Sequence, residues 1–112
     1  TIVRVGSMKA RSDEVGELFA EGESLAALSA RYGVKRQTVI TNLAKYVDAG
    51  NGVDSERLQA ESTLPAAAQE AVLTAFANLG DTALRPIFDA MHGQVEYDEL
   101  HLLRIVYRLR HG

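Results

Sequence analysis

At 112 residues the chain has the size of one ordinary domain, and a hydrophobic content of 46% supplies enough apolar surface for a core, which excludes wholesale disorder. It contains no cysteine, so disulfides and thiolate metal sites are excluded and the redox compartment is undetermined, with a reducing cytoplasm as the default. The net charge is −3, so a nucleic-acid role must rest on where positive charge is concentrated, not on the total.

Alanine and leucine dominate the apolar residues, and aromatics make up only 6%. Unbranched side chains lose little rotamer freedom in a helix, so the expected class is all-α, a compact multi-helix domain. Residues 1–11 are read as a linker or cloning remnant, because Gly6-Ser7-Met8 follows Ile2-Val3-Arg4-Val5 where a signal peptide would continue apolar. A start at Thr1 in place of Met is expected of a chain cut from something longer. Residues 12–112 are read as a single helical domain, with a tri-helical helix-turn-helix core over 12–47 and C-terminal helices over 54–110. No apolar run approaches the roughly 20 residues that span a bilayer, so no membrane role is expected.

In chain order, Ser12 is the expected N-cap of the first helix, with Asp13 and Glu14 in its first turn and Val15, Leu18 and Phe19 as the apolar stripe. Gly22 ends it. Ser24 caps a second helix that turns Leu25, Leu28 and Tyr32 to one side and stops at Gly33. A third helix, 36–47, carries Val39, Ile40, Leu43 and Val47. After Gly50-Asn51-Gly52 a short helix is predicted over 54–58, or else the tip of a β-wing, although no alternating strands flank it. Pro65 opens a helix to Leu79, and Gly80 closes it. Asp81 or Thr82 is the expected cap of the next helix, with Pro86 in its first turn, Leu84, Ile87, Phe88 and Met91 inward, and Gly93 at its end. The last helix, 97–110, turns Leu100, Leu103, Val106 and Tyr107 inward, supported by Leu102, Ile105 and Leu109.

The strongest pattern is Ser24-Leu25-Ala26-Ala27-Leu28-Ser29-Ala30-Arg31-Tyr32-Gly33-Val34 followed by Lys35-Arg36-Gln37-Thr38-Val39-Ile40-Thr41-Asn42-Leu43. A helix-turn-helix needs an apolar and a small residue in its first helix so that the second crosses closely, and Leu28 and Ser29 fit. Its turn commonly takes a left-handed residue, which Gly33 supplies, and Val34, Val39 and Leu43 are the apolar anchors. The positions between them, Lys35, Arg36, Gln37, Thr38, Thr41, Asn42 and Lys45, are the candidate nucleic-acid contacts. Arg, Gln and Asn can pair bidentately with base edges, while Lys35, Thr38 and Lys45 suit phosphate; Thr38 alternatively serves its own helix from the first turn. Charge is segregated to match. Residues 31–47 hold Arg31, Lys35, Arg36 and Lys45 and no acid, a local +4; residues 13–30 hold five acids and no base; residues 100–112 add Arg104, Arg108 and Arg110.

From Ser12 to Arg110 the pattern resembles the helix-turn-helix domain found at the C-terminal end of RecQ-type ATP-dependent DNA helicases. The residues that carry the resemblance are Glu23-Ser24-Leu25 through Gly33 and Thr38-Val39-Ile40-Thr41-Asn42-Leu43. Further along come Ala77-Asn78-Leu79-Gly80, Leu84-Arg85-Pro86-Ile87 and Val95-Glu96-Tyr97-Asp98-Glu99-Leu100. The resemblance implies an accessory, DNA-binding role in repair and recombination, with duplex, forked or junction DNA and the neighbouring helicase domains as partners. That family often has histidine where Asn42 stands, so a histidine-dependent contact is not implied here.

Two other readings stand beside it. In one, the chain is a protein-interaction module using the acidic segments 13–23 and 48–70 and any leucine that the last helix leaves exposed. In the other, it is a stand-alone transcription regulator dimerised by its C-terminal helices on a palindromic site. No catalytic set is expected. There is no GxxxxGK[ST] loop, so any ATPase belongs to a parent protein, and the pairs Asp13/Glu17 and Asp98/Glu99 are read as exposed first-turn carboxylates. His92, His101 and His111 are irregularly spaced, so neither metal nor cofactor is expected. Of the aromatics, Tyr46 and Tyr97 alone are read as outside the core. Arg104 and Arg108 share a face that either touches phosphate or is simply solvated.

Overall fold

The computed structural model describes residues 10–111; the linker reading of residues 1–11 lies outside them as far as residue 9, and Arg11 already belongs to a helix. Seven helices and no strand are found among the described residues: α1 Arg11–Ala20, α2 Leu25–Tyr32, α3 Arg36–Asp48, α4 Ser55–Ala60, α5 Ala66–Leu79, α6 Arg85–Ala90 and α7 Tyr97–His111. The all-α expectation therefore holds, and the segment after Asp54 is a helix and not a wing. None of these helices is long and apolar enough to cross a membrane. The chain divides between Val53 and Asp54 into two compact units.

In the first unit, α1 and α2 both pack on α3. Val15 and Phe19 from α1, Leu25 and Leu28 from α2, and Val39, Ile40, Leu43 and Ala44 from α3 form the core; of the predicted stripes of α1 and α2, Leu18 and Tyr32 are only half-buried. Val34 and Val47, expected as anchors, are only half-buried at its margin. The expected cap at Ser12 is displaced. Ala10 occupies the N-cap without a side-chain bond, and the helix is already formed at Arg11. The guanidinium of Arg11 lies 4.1 Å above the Tyr32 ring, a cation–π contact that draws this residue into the first turn. At Gly16 α1 admits the Tyr46 ring of α3 against its backbone, since a Cβ there would fall 2.1 Å from a carbon of that ring. Tyr46 is thus a packing residue and not a free platform.

In the second unit, α7 packs against α4, α5 and α6. Leu100, Leu102, Leu103, Ile105 and Val106 are all buried, so α7 turns a broad apolar face to the core, while His101, Arg104 and Arg108 form a half-buried polar stripe on its other side. Leu58, Val72, Phe76, Ile87 and Val95 complete this core. Asp54 caps α4 through its carboxylate, which accepts from the backbone N–H groups of Glu56 (3.0 Å) and Arg57 (3.4 Å).

Three expectations in this unit need correction. Neither Asp81 nor Thr82 caps α6, which begins at Arg85 behind Leu84. Pro86 lacks an N–H and is tolerated only in a first turn, so a helix starting at Thr82 would place it too deep. The Asp81 carboxylate is instead held by Arg108, whose Nε donates to it at 2.7 Å while Nη2 donates to the Asp81 carbonyl at 3.0 Å. Arg108 is therefore neither a phosphate contact nor a solvated charge. Glu99 is not an exposed first-turn acid either: at 3% exposure it accepts from Ser62 Oγ at 2.6 Å and from the Thr63 N–H at 3.1 Å, tying the α4–α5 link to the start of α7. No leucine of the last helix is exposed, and Leu79 on α5, 54% exposed, is the large aliphatic side chain left outside the core among the described residues.

Candidate nucleic-acid interface

The geometry of the site begins with the turn between α2 and α3. Ser24 Oγ accepts from the Ala27 N–H at 3.0 Å and starts α2. Gly33 stops it at φ 63°, ψ 38°, a left-handed conformation that costs a residue with a Cβ about 1–2 kcal/mol. Ser29 then closes the turn twice: its carbonyl accepts from the Val34 N–H at 3.1 Å, and its hydroxyl donates to the Val34 carbonyl. Alanine, the more usual small residue at this position, would supply only the first of these bonds. Tyr32, next to the turn, is braced from α1, since its hydroxyl donates to Glu14 Oε1 at 2.8 Å. Burial, together with the Glu14 carboxylate, pushes the Tyr32 phenol above its ordinary range.

The core fixes which side of α3 faces outward. Val39, Ile40 and Leu43 point inward, so residues at four-residue intervals on the opposite side, 37, 41 and 45, form one row. Gln37, Thr38 and Lys45 are exposed, with Lys35 exposed just ahead of the first turn, while Thr41 and Asn42 are half-buried. Arg36 is placed differently. It precedes Val39, Ile40 and Leu43 by three, four and seven positions, so it lies on the core side of the helix, and it is half-buried. Six of the seven candidates therefore sit on or beside one outward strip, and Arg36 stands at its margin.

The polar groups of the strip are held in place locally. Thr41 Oγ1 donates to the Gln37 carbonyl at 3.0 Å, and Asn42 Nδ2 donates to the Thr38 carbonyl at 3.0 Å. Such back-bonds fix the side chains while leaving the hydroxyl lone pairs and the amide oxygen as acceptors. Lys35 occupies the N-cap without a side-chain bond to α3, so its ammonium stands next to the positive end of the helix dipole. Thr38 makes no capping bond there.

The local +4 read from the sequence is reduced in the fold. Arg31 grips Glu23 in a fork, Nη2 to Oε2 at 2.7 Å and Nε to Oε1 at 3.2 Å, and that carboxylate holds the guanidinium pKa above its ordinary value. Lys35 and Lys45 remain as the exposed cations of the strip. Neither the Arg31–Glu23 pair nor the Tyr32–Glu14 bond has a sequence signature, because each reaches beyond its own helix, to the α1–α2 turn at Glu23 and to α1 at Glu14. The histidines are not gathered, and no group of three or more metal-binding side chains occurs among the described residues.

A left-handed glycine turn between two packed helices, the second resting on a third and presenting polar side chains outward, defines a helix-turn-helix protein. The chain belongs to the family described as a helix-turn-helix domain, which it matches over residues 13–104. No curated protein and no solved structure matches it significantly.

Proposed function

We propose that the chain binds duplex DNA through the outward strip of α3. Lys35 and Lys45 contact phosphates on either side of the groove, and Gln37, Thr38, Thr41 and Asn42 face the base edges between them. The observation that supports this reading is the exposure of Lys35, Gln37, Thr38 and Lys45 on a helix whose other side is anchored by Val39, Ile40 and Leu43. The chain acts as a binding module, with any motor activity belonging to a parent protein. The finer reading is an accessory domain of a RecQ-type helicase, active in repair and recombination at the nucleoid. It rests on the sequence resemblance; membership of the helix-turn-helix family accords equally with a stand-alone regulator.

Charge reversal at both lysines, Lys35→Glu with Lys45→Glu, is expected to abolish salt-sensitive binding to fluorescent duplex. Unchanged binding by that pair would sink the proposal. A preference for forked or junction DNA over duplex of equal length supports the helicase-associated reading, and a sharp palindromic footprint replaces it with the regulator.

A further inference from the structure

The second unit has the opposite character to α3. Residues 54–112 hold nine acids against five arginines, a net −4, which repels a phosphate backbone. An open, largely apolar groove of about 610 Å³ lies between α5 and α6. Ala67, Ala71, Ala75 and Ala90 line it together with Leu79 and Met91, and Glu70 is the only charged residue in the lining. Leu79 and Tyr97 are the large apolar side chains left exposed among the described residues, and Leu79 belongs to this groove. Alanines along α5 let another backbone approach closely, and the groove follows a helix of 14 residues, about 21 Å at 1.5 Å per residue. That is room for roughly four turns of a docked helix whose larger side chains fill the space above the alanines.

We infer that the α5–α6 groove docks an amphipathic helix of a partner protein that carries lysine or arginine beside its apolar face. Charge selects this occupant. A second copy of the chain, in a two-fold contact on this groove, sets Glu70 near its own equivalent and brings two units of net −4 together; like charges so placed cost affinity. DNA is excluded by the same charge. A basic helix instead satisfies Glu70 and is drawn towards the acidic unit from a distance. The groove is short, so the contact is weak and transient.

The test uses the full chain and two synthetic helical peptides of about 15 residues with the same leucine face, one with lysines and the other with glutamates at the flanking positions. The lysine peptide is expected to bind about tenfold or more tighter and to shift the methyl NMR signals of Ala67, Ala71, Leu79 and Met91. Glu70→Lys should erase or reverse the preference. Ala71→Arg, at an exposed position, should remove binding of the lysine peptide while circular dichroism remains native; Thr74→Arg on the same groove wall replaces it if folding is lost. Equal binding of the two peptides, methyl shifts confined to other surfaces, or binding indifferent to Glu70→Lys overturns the inference. So does a concentration-dependent dimer that Ala71→Arg dissolves, which assigns the groove to a second copy.

Discussion

Gly16 shows how one residue sets the position of the interface. The Tyr46 ring occupies the space a Cβ at Gly16 would fill, at 2.1 Å, and that ring belongs to α3 one residue beyond Lys45. Gly16→Ala is expected to cost about 1–3 kcal/mol, the usual range for overpacking, measured by urea denaturation. In a Tyr46→Ala background the same change should cost much less, because the obstructing ring is gone; equal costs in both backgrounds would show that the two residues do not compete for space. Ser29 acts on the same helix from the turn. Ser29→Ala removes the hydroxyl bond to the Val34 carbonyl and keeps the backbone bond beside it, so a loss of about 1 kcal/mol follows. If the latch sets where α3 starts, DNA affinity should fall with an unchanged salt slope, and an unaltered affinity would restrict Ser29 to a role in stability.

Among the elements, those bounded by local signals were legible in advance. Ser24 and Gly33 delimit α2 and Pro65 precedes α5 because a cap, a left-handed residue and a missing N–H act on the residues beside them. Elements fixed by distant partners were not. The start of α6 was misplaced because Asp81, a good local cap, is taken by Arg108 from a residue 27 positions away, and Glu99 looks like any first-turn acid until the α4–α5 link is folded onto it. The site divides the same way: the outward strip followed from periodicity, whereas the pairing of Arg31 with Glu23 and the inward register of Arg36 did not. The Asp81–Arg108 bond also has a pH signature. Its hydrogen bond to Arg108 lowers the Asp81 pKa below the ordinary carboxylate value. A depressed folded-state pKa adds stability above the unfolded value, near 4, and that stability is lost as pH falls through the folded value. The contribution is modest, because both side chains are about a third exposed (31% and 34%). Asp81→Asn should therefore destabilise the protein at neutral pH by denaturant melting, and the gap between variant and parent should close below about pH 4. A gap that persists unchanged in acid would mean that the charge of Asp81 contributes nothing.

For the whole molecule, the decisive quantity is how little positive charge it can bring to DNA. Seven bases oppose six acids in residues 1–53 and five oppose nine in residues 54–112, so the second unit adds a repulsive field. On α3 the exposed cations are Lys35 and Lys45. Each neutralised phosphate releases counterions and contributes about −0.9 to the slope of log affinity against log salt. Two contacts give a slope of about −2, or roughly a tenfold loss between 50 and 200 mM salt, where an interface of six phosphates gives about −5. Such a module binds weakly alone and gains occupancy when tethered to another DNA-binding part, through effective concentration and not through new contacts. Fluorescence anisotropy over a salt series should return the shallow slope, and Lys45→Ala should reduce it by about one. A slope near −5 would mean that arginines assigned here to the core margin or to acid partners reach the backbone after all, and a flat line would remove phosphate from the interface altogether.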